Sequence, residues 1–456
     1  MRGDGRMTEK KVRLGVDPIY TLDGINYFQQ FIFGLQQAVA MFGATVLVPL
    51  LTGLDVNTTL LMAGLGTLLF HVITGFKVPV FLGSSFAFIV GYNIVAGSPF
   101  SDAHDPTKLP YASGGIFVAG LIYCVLALII KVVGVNRVMR WFPPVVTGPI
   151  IIGIGLILAP SALNNIQTPI EGISMGLNWL VALVAIGSII ICNIWGKGMI
   201  RVVPILIGVV ASYLVALACG MVDFSALKNT EGFFAVPIFK ENFMKFDVSA
   251  IITIAPIALA TMMEHVGDIS AVSATVGRNY IKDPGLHRTL IGDGLATSMA
   301  AVFGGPANTT YSENTGVLAL TRIFAPGVMR IAAVIAIVAS LFPHVGSFIR
   351  SIPGPAIGGV SCILYGMISA IGVRNLIENQ VDLTKARNLM IVTIILVAGI
   401  GISMGAAGGI VFKIGDATIN LSGLAVAAIL GILLNAILPG KDYEYKQEDV
   451  DIKAEE

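Results

Sequence analysis

The chain has 456 residues, of which 55% are hydrophobic and 12% charged, and its formal net charge at pH 7 is +1. A soluble protein carries about 25% charged residues. The low charge and a mean hydropathy of +0.85 exclude a disordered chain, a small disulfide scaffold and a basic nucleic-acid-binding protein. The composition is typical of a chain that crosses a membrane several times.

The two ends of the chain are polar. Residues 1–25 contain no apolar stretch of the kind found in a cleavable signal peptide, and they predict a cytoplasmic N-terminal segment. Residues 441–456 predict a solvated, acidic cytoplasmic tail. The cysteines lie in apolar stretches at irregular spacing, which indicates buried thiols and neither a metal site nor a cofactor: Cys124, Cys192, Cys219 and Cys362.

Between these ends, fourteen apolar stretches are candidate membrane-spanning segments, since a helix needs about 20 residues to cross the bilayer. Their centres lie near residues 41, 66, 88, 123, 151, 187, 211, 259, 295, 315, 335, 365, 397 and 430. The third and the tenth are weak as continuous helices. Gly83, Ser84 and Ser85 interrupt the third, and the first half of the tenth, around residues 308–316, is polar.

The basic residues of the loops indicate the orientation. With fourteen spans, both termini lie on one side. The six loops on that side contain 14 Lys and Arg residues, and the seven opposite loops contain 6. Because cytoplasmic loops are enriched in Lys and Arg, both termini are predicted to be cytoplasmic. An error of one span in the count would scramble this asymmetry.

An internal repeat connects the two halves of the chain. The fifth span opens with Pro144 and Gly148, and the twelfth repeats that spacing with Pro355 and Gly359. The weak third and tenth spans are also seven apart. Because seven is odd, two seven-span halves must have opposite topology. Inverted repeats with broken segments at matching positions indicate a transporter whose substrate site lies at those breaks.

Of 27 acidic residues, only four lie within predicted spans: Glu264, Asp268, Asp293 and Glu313. Glu264 and Asp268 are four residues apart and share one helix face. A carboxylate inside a bilayer is costly, and no Lys or Arg lies in a predicted span nearby. These acids are therefore expected to be functional, with proton transfer as their chemistry. The alternative is structural, with a buried acid that pairs with His265 or caps a broken helix.

The two weak spans predict short extended pieces that pair with each other between half-helices and expose backbone N–H groups. Acidic acceptors, backbone donors and an aromatic face suit a flat, neutral heterocycle with N–H and C=O groups on one edge. Phe86 is the candidate for this aromatic face. Stacking on a ligand and packing in the core both agree with its position.

The polar half of the tenth span carries a specific motif. Residues 313–322 match the signature [Gln/Glu/Pro]-Asn-x-Gly-x-x-x-x-Thr-[Arg/Lys/Gly] of the nucleobase–ascorbate transporters. Further motifs of that family occur at residues 40–49, 82–88, 264–267 and 283–288. From about residue 25 to residue 440 the chain resembles this family, and within it the bacterial uracil permeases.

The resemblance implies an all-α polytopic membrane protein with fourteen transmembrane segments in two inverted seven-helix repeats. Short extended β segments break spans 3 and 10. A core domain would carry the substrate and move like an elevator against a gate domain, with proton symport and dimerisation through the gate. The implied divisions are core 26–135 (spans 1–4), gate 136–222 (spans 5–7), extracellular loop 223–246, core 247–345 (spans 8–11) and gate 346–440 (spans 12–14).

The resemblance also implies roles for individual residues. Glu264 and Glu313 would accept hydrogen bonds from ring N–H groups of the substrate. Phe86 would stack on the ring, and Ala44 would line the pocket. Backbone at three positions would contact substrate carbonyls: Phe86, Tyr311 and Ser312.

The resemblance leaves the substrate open within the family. Asp268 occupies a position where bacterial uracil permeases carry a His implicated in proton coupling, so Asp268, Glu264 and Asp293 are the expected proton-coupling groups. Asp268 and Asp293 resemble the xanthine and uric-acid branch, whereas Glu313 is typical of uracil permeases. The expected function is proton-coupled import of uracil across the cytoplasmic membrane, with xanthine or uric acid as the alternative.

Two other classes fit less well. An anion transporter of the same architecture would need a basic or helix-dipole site, whereas the predicted pocket contains two acids. A membrane enzyme is not expected, because the sequence contains no nucleotide-binding loop and no Ser/His/Asp or metal-ligand spacing.

Overall fold

The structure, a computed structural model, describes residues 17–101, 103–405, 408–414 and 417–441. The acidic tail beyond residue 441 and most of the N-terminal segment lie outside the described residues. The first half of the chain contains α1 Tyr27–Thr52, α2 Val56–Ile73, β1 Leu82–Ser84, α3 Ile89–Ala96, α4 Leu109–Val133, α5 Val135–Met139, α6 Pro144–Gln167, α7 Met175–Trp195, α8 Met199–Val202, α9 Pro204–Ala218 and α10 Ser225–Lys228. The second half contains α11 Val248–Ile254, α12 Ala258–Val276, α13 Leu286–Val302, β2 Asn308–Thr310, α14 Ser312–Thr321, α15 Pro326–Ser340, α16 Pro343–Arg350, α17 Gly354–Glu378, α18 Ala386–Ser403, β3 Gly409–Ile414, β4 Ala417–Ser422 and α19 Gly423–Ile437.

Polar residues at the helix starts explain several of these boundaries. Asn26, Asp55 and Asp247 each accept a hydrogen bond from a backbone N–H in the first turn of α1, α2 and α11. Such N-caps satisfy donors that have no partner within the helix. Proline stands at the start of α6 and α17, as the predicted repeat expects, because its missing N–H costs nothing there.

The described part of the chain is an integral membrane protein by composition and length. Eight of its helical segments are apolar and long enough to cross a bilayer. A ninth would be α15 together with α16, which meet at a bend of 84°. Two further helices of the described residues, α9 and α19, are apolar but shorter than these segments.

The third and tenth predicted spans are broken by short strands. β1 and β2 form an antiparallel pair in which Leu82 is opposite Thr310 and Ser84 is opposite Asn308. The predicted pairing of two extended pieces is thus confirmed. Gly and Ser in the first segment, and Asn and Thr in the second, disfavour a continuous helix there.

Threonine hydroxyls satisfy the backbone of both strands. Leu82 N–H donates to Thr67 Oγ1 over 2.9 Å, and the Thr67 hydroxyl lies 3.2 Å from the Leu82 carbonyl. On the other strand, Asn308 N–H donates to Thr297 Oγ1 over 3.2 Å, and that hydroxyl donates to the Asn308 carbonyl over 2.9 Å. At Leu82 and Asn308 the backbone groups on the outer edges of the two-stranded sheet therefore have hydrogen-bond partners within the protein. Buried backbone inside a membrane requires such partners.

Glycines allow close packing between long helices. A Cβ on Gly372 of α17 would lie 2.6 Å from the Gly148 carbonyl of α6, and a Cβ on Gly358 would lie 2.6 Å from the Ala162 carbonyl. Small residues let helix backbones approach in membrane proteins. In the same way, Gly120 of α4 faces Gly294 of α13. These contacts make α6–α17 and α4–α13 two tightly packed helix pairs.

One element was not expected. β3 and β4 form an antiparallel hairpin that packs against α11, so the all-α description with two broken spans lacks this second small sheet. The sequence does carry a signal for it. The runs at 409–414 and 417–422 are rich in β-branched residues and flank Gly415-Asp416, a pattern typical of a hairpin.

Candidate functional site

The strand pair places two helix starts beside it. α14 begins at Ser312 directly after β2, and α3 begins at Ile89 a few residues after β1. Because the strands are antiparallel, the two helices leave the pair in opposite directions. The first N–H groups of each helix have no partner within it, so each break provides backbone donors and a partial positive charge.

Tyr311 and Ser84 connect the two strands to helix α1. A Cβ on Gly83 would collide with the Tyr311 ring, so only glycine fits there. The Tyr311 hydroxyl donates to the Ser84 carbonyl over 3.0 Å, and Ser84 Oγ donates to the Thr45 carbonyl of α1 over 3.1 Å. This chain of contacts holds α1 and both strands together.

A cavity of about 750 Å³ lies between α12 and α14 on one side and α6 and α17 on the other. Glu264 and Asp268 line it from α12, as their spacing of four predicted, and Ser312 lines it from α14. The lining from α4 and α6 is mostly apolar. At the C-terminal end of α17 it is polar, and there Arg374 Nε donates to Glu378 Oε1 over 2.6 Å.

Asp268 is held in place by two hydroxyl groups. Thr310 Oγ1 donates to Asp268 Oδ2 over 2.6 Å, and Ser312 Oγ donates to Asp268 Oδ1 over 2.7 Å. Both donors come from the junction of β2 with α14. The carboxyl group therefore links α12 to the broken tenth span while one face of it borders the cavity.

The other two acids predicted within the membrane, Glu313 and Asp293, lie outside the cavity lining. Glu313 is half-buried in the first turn of α14, where the helix N-terminus favours a carboxylate. Asp293 of α13 is fully buried, and its Oδ2 atom lies 2.9 Å from Nδ1 of the equally buried His265. All four acids predicted within the membrane are therefore on α12, α13 or α14.

The remaining predicted residues surround the strand pair. Phe86 is half-buried between β1 and α3, and its ring centroid lies 6.4 Å from that of Tyr365 on α17, edge to face. Ala44 is 0% exposed and Tyr311 is 4% exposed. Among the described residues, the cavity lining includes neither of these two nor Phe86.

Several contacts at the site were missed from the sequence. Thr310 binds Asp268, and Asn314 Nδ2 donates to Gln37 Oε1 of α1 over 2.8 Å. Tyr365 faces Phe86. Each contact joins residues far apart in the chain, so local spacing carries no signal for it. Within the ranges that the structure describes, no cluster of three or more His, Cys, Asp and Glu residues could hold a metal ion.

Comparisons with known proteins match most of the chain. A model of a family described as a permease family matches residues 28–408. A uracil permease from Bacillus caldolyticus is 44% identical over 417 residues, which cover 91% of this chain and 93% of that protein. A uracil permease from Bacillus subtilis strain 168 is 40% identical over 453 residues, which cover 98% of each chain.

Solved structures show the same fold at low sequence identity. The transmembrane domain of the cyanobacterial bicarbonate transporter BicA superposes with a TM-score of 0.62 at 14% identity. The match covers 90% of this chain and 97% of that domain. At this identity the likeness concerns the arrangement of helices and strands only.

Proposed function

Because the chain belongs to this permease family, the nucleobase–ascorbate transporters, we propose that it imports uracil across the cell membrane. The observation that carries the proposal is the pair of carboxyl groups, Glu264 and Asp268, on the wall of a cavity beside the broken tenth span. Uracil presents an N–H donor at each ring nitrogen, and a carboxylate is an acceptor. The similarity to uracil permeases over nine-tenths of the chain supports this substrate.

Within the site, Glu264 and Glu313 would accept the ring N–H groups. Phe86 would stack on the ring, Ala44 would line the pocket, and the backbone at Phe86, Tyr311 and Ser312 would contact the carbonyl groups. Ser312 and Glu264 already line one cavity, which supports their part of this assignment. The others lie around the strand pair next to it, where the first N–H groups of α14 have no partner within the helix.

Uptake is proposed to be coupled to protons through Asp268, Glu264 and Asp293. Glu264 and Asp268 are half-buried at the cavity wall, so they can meet water from the cavity. A buried carboxylate without a basic partner is costly, which favours proton uptake when the cavity closes. Coupling would fail the test if a protonophore left concentrative uracil uptake into proteoliposomes unchanged.

Fourteen spans in two inverted repeats are proposed as the architecture. The eight long segments, the two short apolar helices, α13, α15 and the two strand-broken segments together give fourteen. The matching threonines, Thr67 on α2 and Thr297 on α13, support the repeat. Thr67 precedes its strand by 15 residues and Thr297 by 11, and each binds the backbone of the first strand residue in the same way.

The proposed core domain comprises residues 26–135 and 247–345, and the proposed gate comprises residues 136–222 and 346–440. Packing of α4 on α13 and of α6 on α17 supports this division, since each tight pair falls within one domain. The cavity lies between the two groups, as an elevator movement of core against gate requires. A homodimer would form through the gate.

The cavity is proposed to open to the cytoplasm, with both termini on that side. Its polar end includes Arg374 and Glu378, next to loops in which Lys and Arg are concentrated. In a cysteine-free background, Thr275→Cys, which lies on the cavity wall, should react with a membrane-impermeant thiol reagent in inside-out vesicles. Reaction only in right-side-out vesicles would reverse the orientation.

A purine substrate is the second candidate, because Asp268 and Asp293 resemble the xanthine and uric-acid branch. Competition of labelled uracil with xanthine, uric acid and hypoxanthine decides between them. Inhibition by xanthine at concentrations far below those of unlabelled uracil would overturn the proposed preference.

An anion substrate is a third candidate, supported only by the fold shared with a bicarbonate transporter. It predicts that sulfate or bicarbonate, and not uracil, stabilises the purified protein against heat.

A further inference from the structure

His265 and Asp293 form a buried pair directly behind the cavity wall. The contact between Nδ1 and Oδ2 is 2.9 Å long, and both side chains are 0% exposed. Among the described residues none of the four polar atoms of the pair makes an aligned hydrogen bond, so the short approach of Nδ1 to Oδ2 is a close contact between two buried polar groups. Since His265 directly follows Glu264 on α12, the pair attaches the substrate-facing helix to α13.

Asp293 lies on a rigid part of the molecule. Its neighbour Gly294 faces α4 so closely that a Cβ there would lie 2.6 Å from the Gly120 carbonyl. Ser298, further along α13, donates to the Phe117 carbonyl of α4 over 3.0 Å. On α12, by contrast, a Cβ on Gly267 would meet only open space. Gly267 lines the cavity, so the pair connects the cavity-lining helix to a tightly packed one.

The charges around the pair favour one protonation state of the pair. The titratable groups that interact with it are Tyr123 of α4, Glu264 and Asp268 of α12, and none of these is a base. When the pair holds a single titratable proton, on either residue, it is neutral as a whole. Adding or removing a proton would leave an uncompensated buried charge, which costs several kcal/mol.

We infer that His265 and Asp293 act as a single-proton pair that positions Glu264 toward the substrate. His265 fixes the rotation of α12 against the α4–α13 scaffold, so that Glu264 and Asp268 face the cavity. Asp293 contributes to coupling through His265, while the two cavity-facing carboxyl groups exchange protons with water. The inference rests on the proposed function, because it concerns the group that would bind uracil.

A double-mutant cycle on the purified full-length protein tests the pair, with the Kd for uracil measured across a range of pH. His265→Leu leaves a lone carboxylate beside Glu264 and should weaken binding about 30-fold, whereas Asp293→Leu leaves a neutral histidine and should weaken it only about threefold. The double variant removes both groups and should bind uracil more tightly than His265→Leu alone. The pH profile of binding should change in His265→Leu and return in the double variant.

The matched control is His71→Leu. His71 is also fully buried, but one of its ring nitrogens lies 2.9 Å from the Val80 carbonyl, away from the cavity. Combined with Asp293→Leu, its effect on Kd should be additive. Asp293→Asn, which keeps the shape of the side chain, provides a second variant if a leucine is not tolerated, and it should bind within about threefold of the wild type.

The outcomes separate the two proposals. Additive effects of His265→Leu and Asp293→Leu on Kd would overturn the pair. A lower melting temperature of His265→Leu with unchanged Kd and unchanged pH profile would make the pair structural only and also overturn the inference. If the wild-type protein bound no nucleobase, the proposed function would fall and the inference with it.

Discussion

The two strand-broken segments, residues 82–96 and 308–321, have the same backbone plan and different chemistry. Each has a three-residue strand, a threonine that binds the strand edge and a short helix that follows. The first segment is mostly apolar and has no acidic residue; its polar side chains are those of Ser84, Ser85, Tyr92 and Asn93. The second carries Glu313 and supplies two hydroxyl groups to Asp268. The shared plan builds the break in the membrane, and the second half alone provides the acidic groups.

This difference suggests that the two halves of the chain have different roles. The strand pair needs both segments, because each supplies the backbone partners of the other. The acidic side chains proposed for substrate binding and proton coupling all lie on α12, α13 and α14, whereas Phe86 and Ala44 of the first half would contribute ring stacking and pocket lining. Substitutions in the second half should therefore change binding and coupling, whereas substitutions at matching structural positions should cost the same stability in either half.

Glu264→Gln should produce the largest effect on binding. It replaces an acceptor-only group by an amide, and a hydrogen bond to a charged group contributes about 1.5–3 kcal/mol, so uracil affinity should fall about 10- to 150-fold. Isothermal titration of the purified protein measures this. The control is Glu378→Gln, at the mouth of the same cavity and paired with Arg374. Equal losses in both variants would remove Glu264 from the binding site.

Asp268→Asn should separate binding from coupling. The amide oxygen can still accept one of the two hydroxyl hydrogen bonds, so uracil should bind within about tenfold of the wild type. Without a titratable group, the variant should exchange labelled for unlabelled uracil across the vesicle membrane and fail to concentrate it. Proteoliposome counterflow and uptake under an imposed pH gradient measure the two activities. Retained concentrative uptake would exclude Asp268 from the proton pathway.

Some of these features could be predicted from the sequence, because the residues that produce them lie close together in the chain. Glycine and polar residues in apolar stretches predicted both broken spans, and a spacing of four predicted that Glu264 and Asp268 share a face. Those signals are local. The partner of Asp268 is 42 residues away at Thr310, and the partner of His265 is Asp293 on another helix. Such contacts depend on how helices pack, so composition and spacing could only leave His265 ambiguous between pairing and packing.

Gly83→Ala should test whether the strand pair is a shared structural unit. The added methyl group would collide with the Tyr311 ring on the other segment, and overpacking typically costs about 1–3 kcal/mol. The melting temperature without ligand should fall by several degrees, roughly in proportion to that cost. Gly187→Ala is the control, because a Cβ there meets nothing within 4 Å. An unchanged melting temperature for Gly83→Ala would show that Tyr311 moves aside freely.

Thr67→Val and Thr297→Val should have effects on stability no larger than that of Gly83→Ala, and they sharpen the comparison most directly. Each removes the hydroxyl that binds one strand edge, which leaves a buried backbone group without a partner at a cost of about 1–3 kcal/mol. If the halves share one plan, the two variants should lower thermal stability by similar amounts. Thr393→Val is the control, since that exposed hydroxyl bonds only to the Leu389 carbonyl of its own helix. A loss confined to Thr297→Val would mean that the second half carries the strand pair as well as the chemistry, because the first strand would then hold without its threonine.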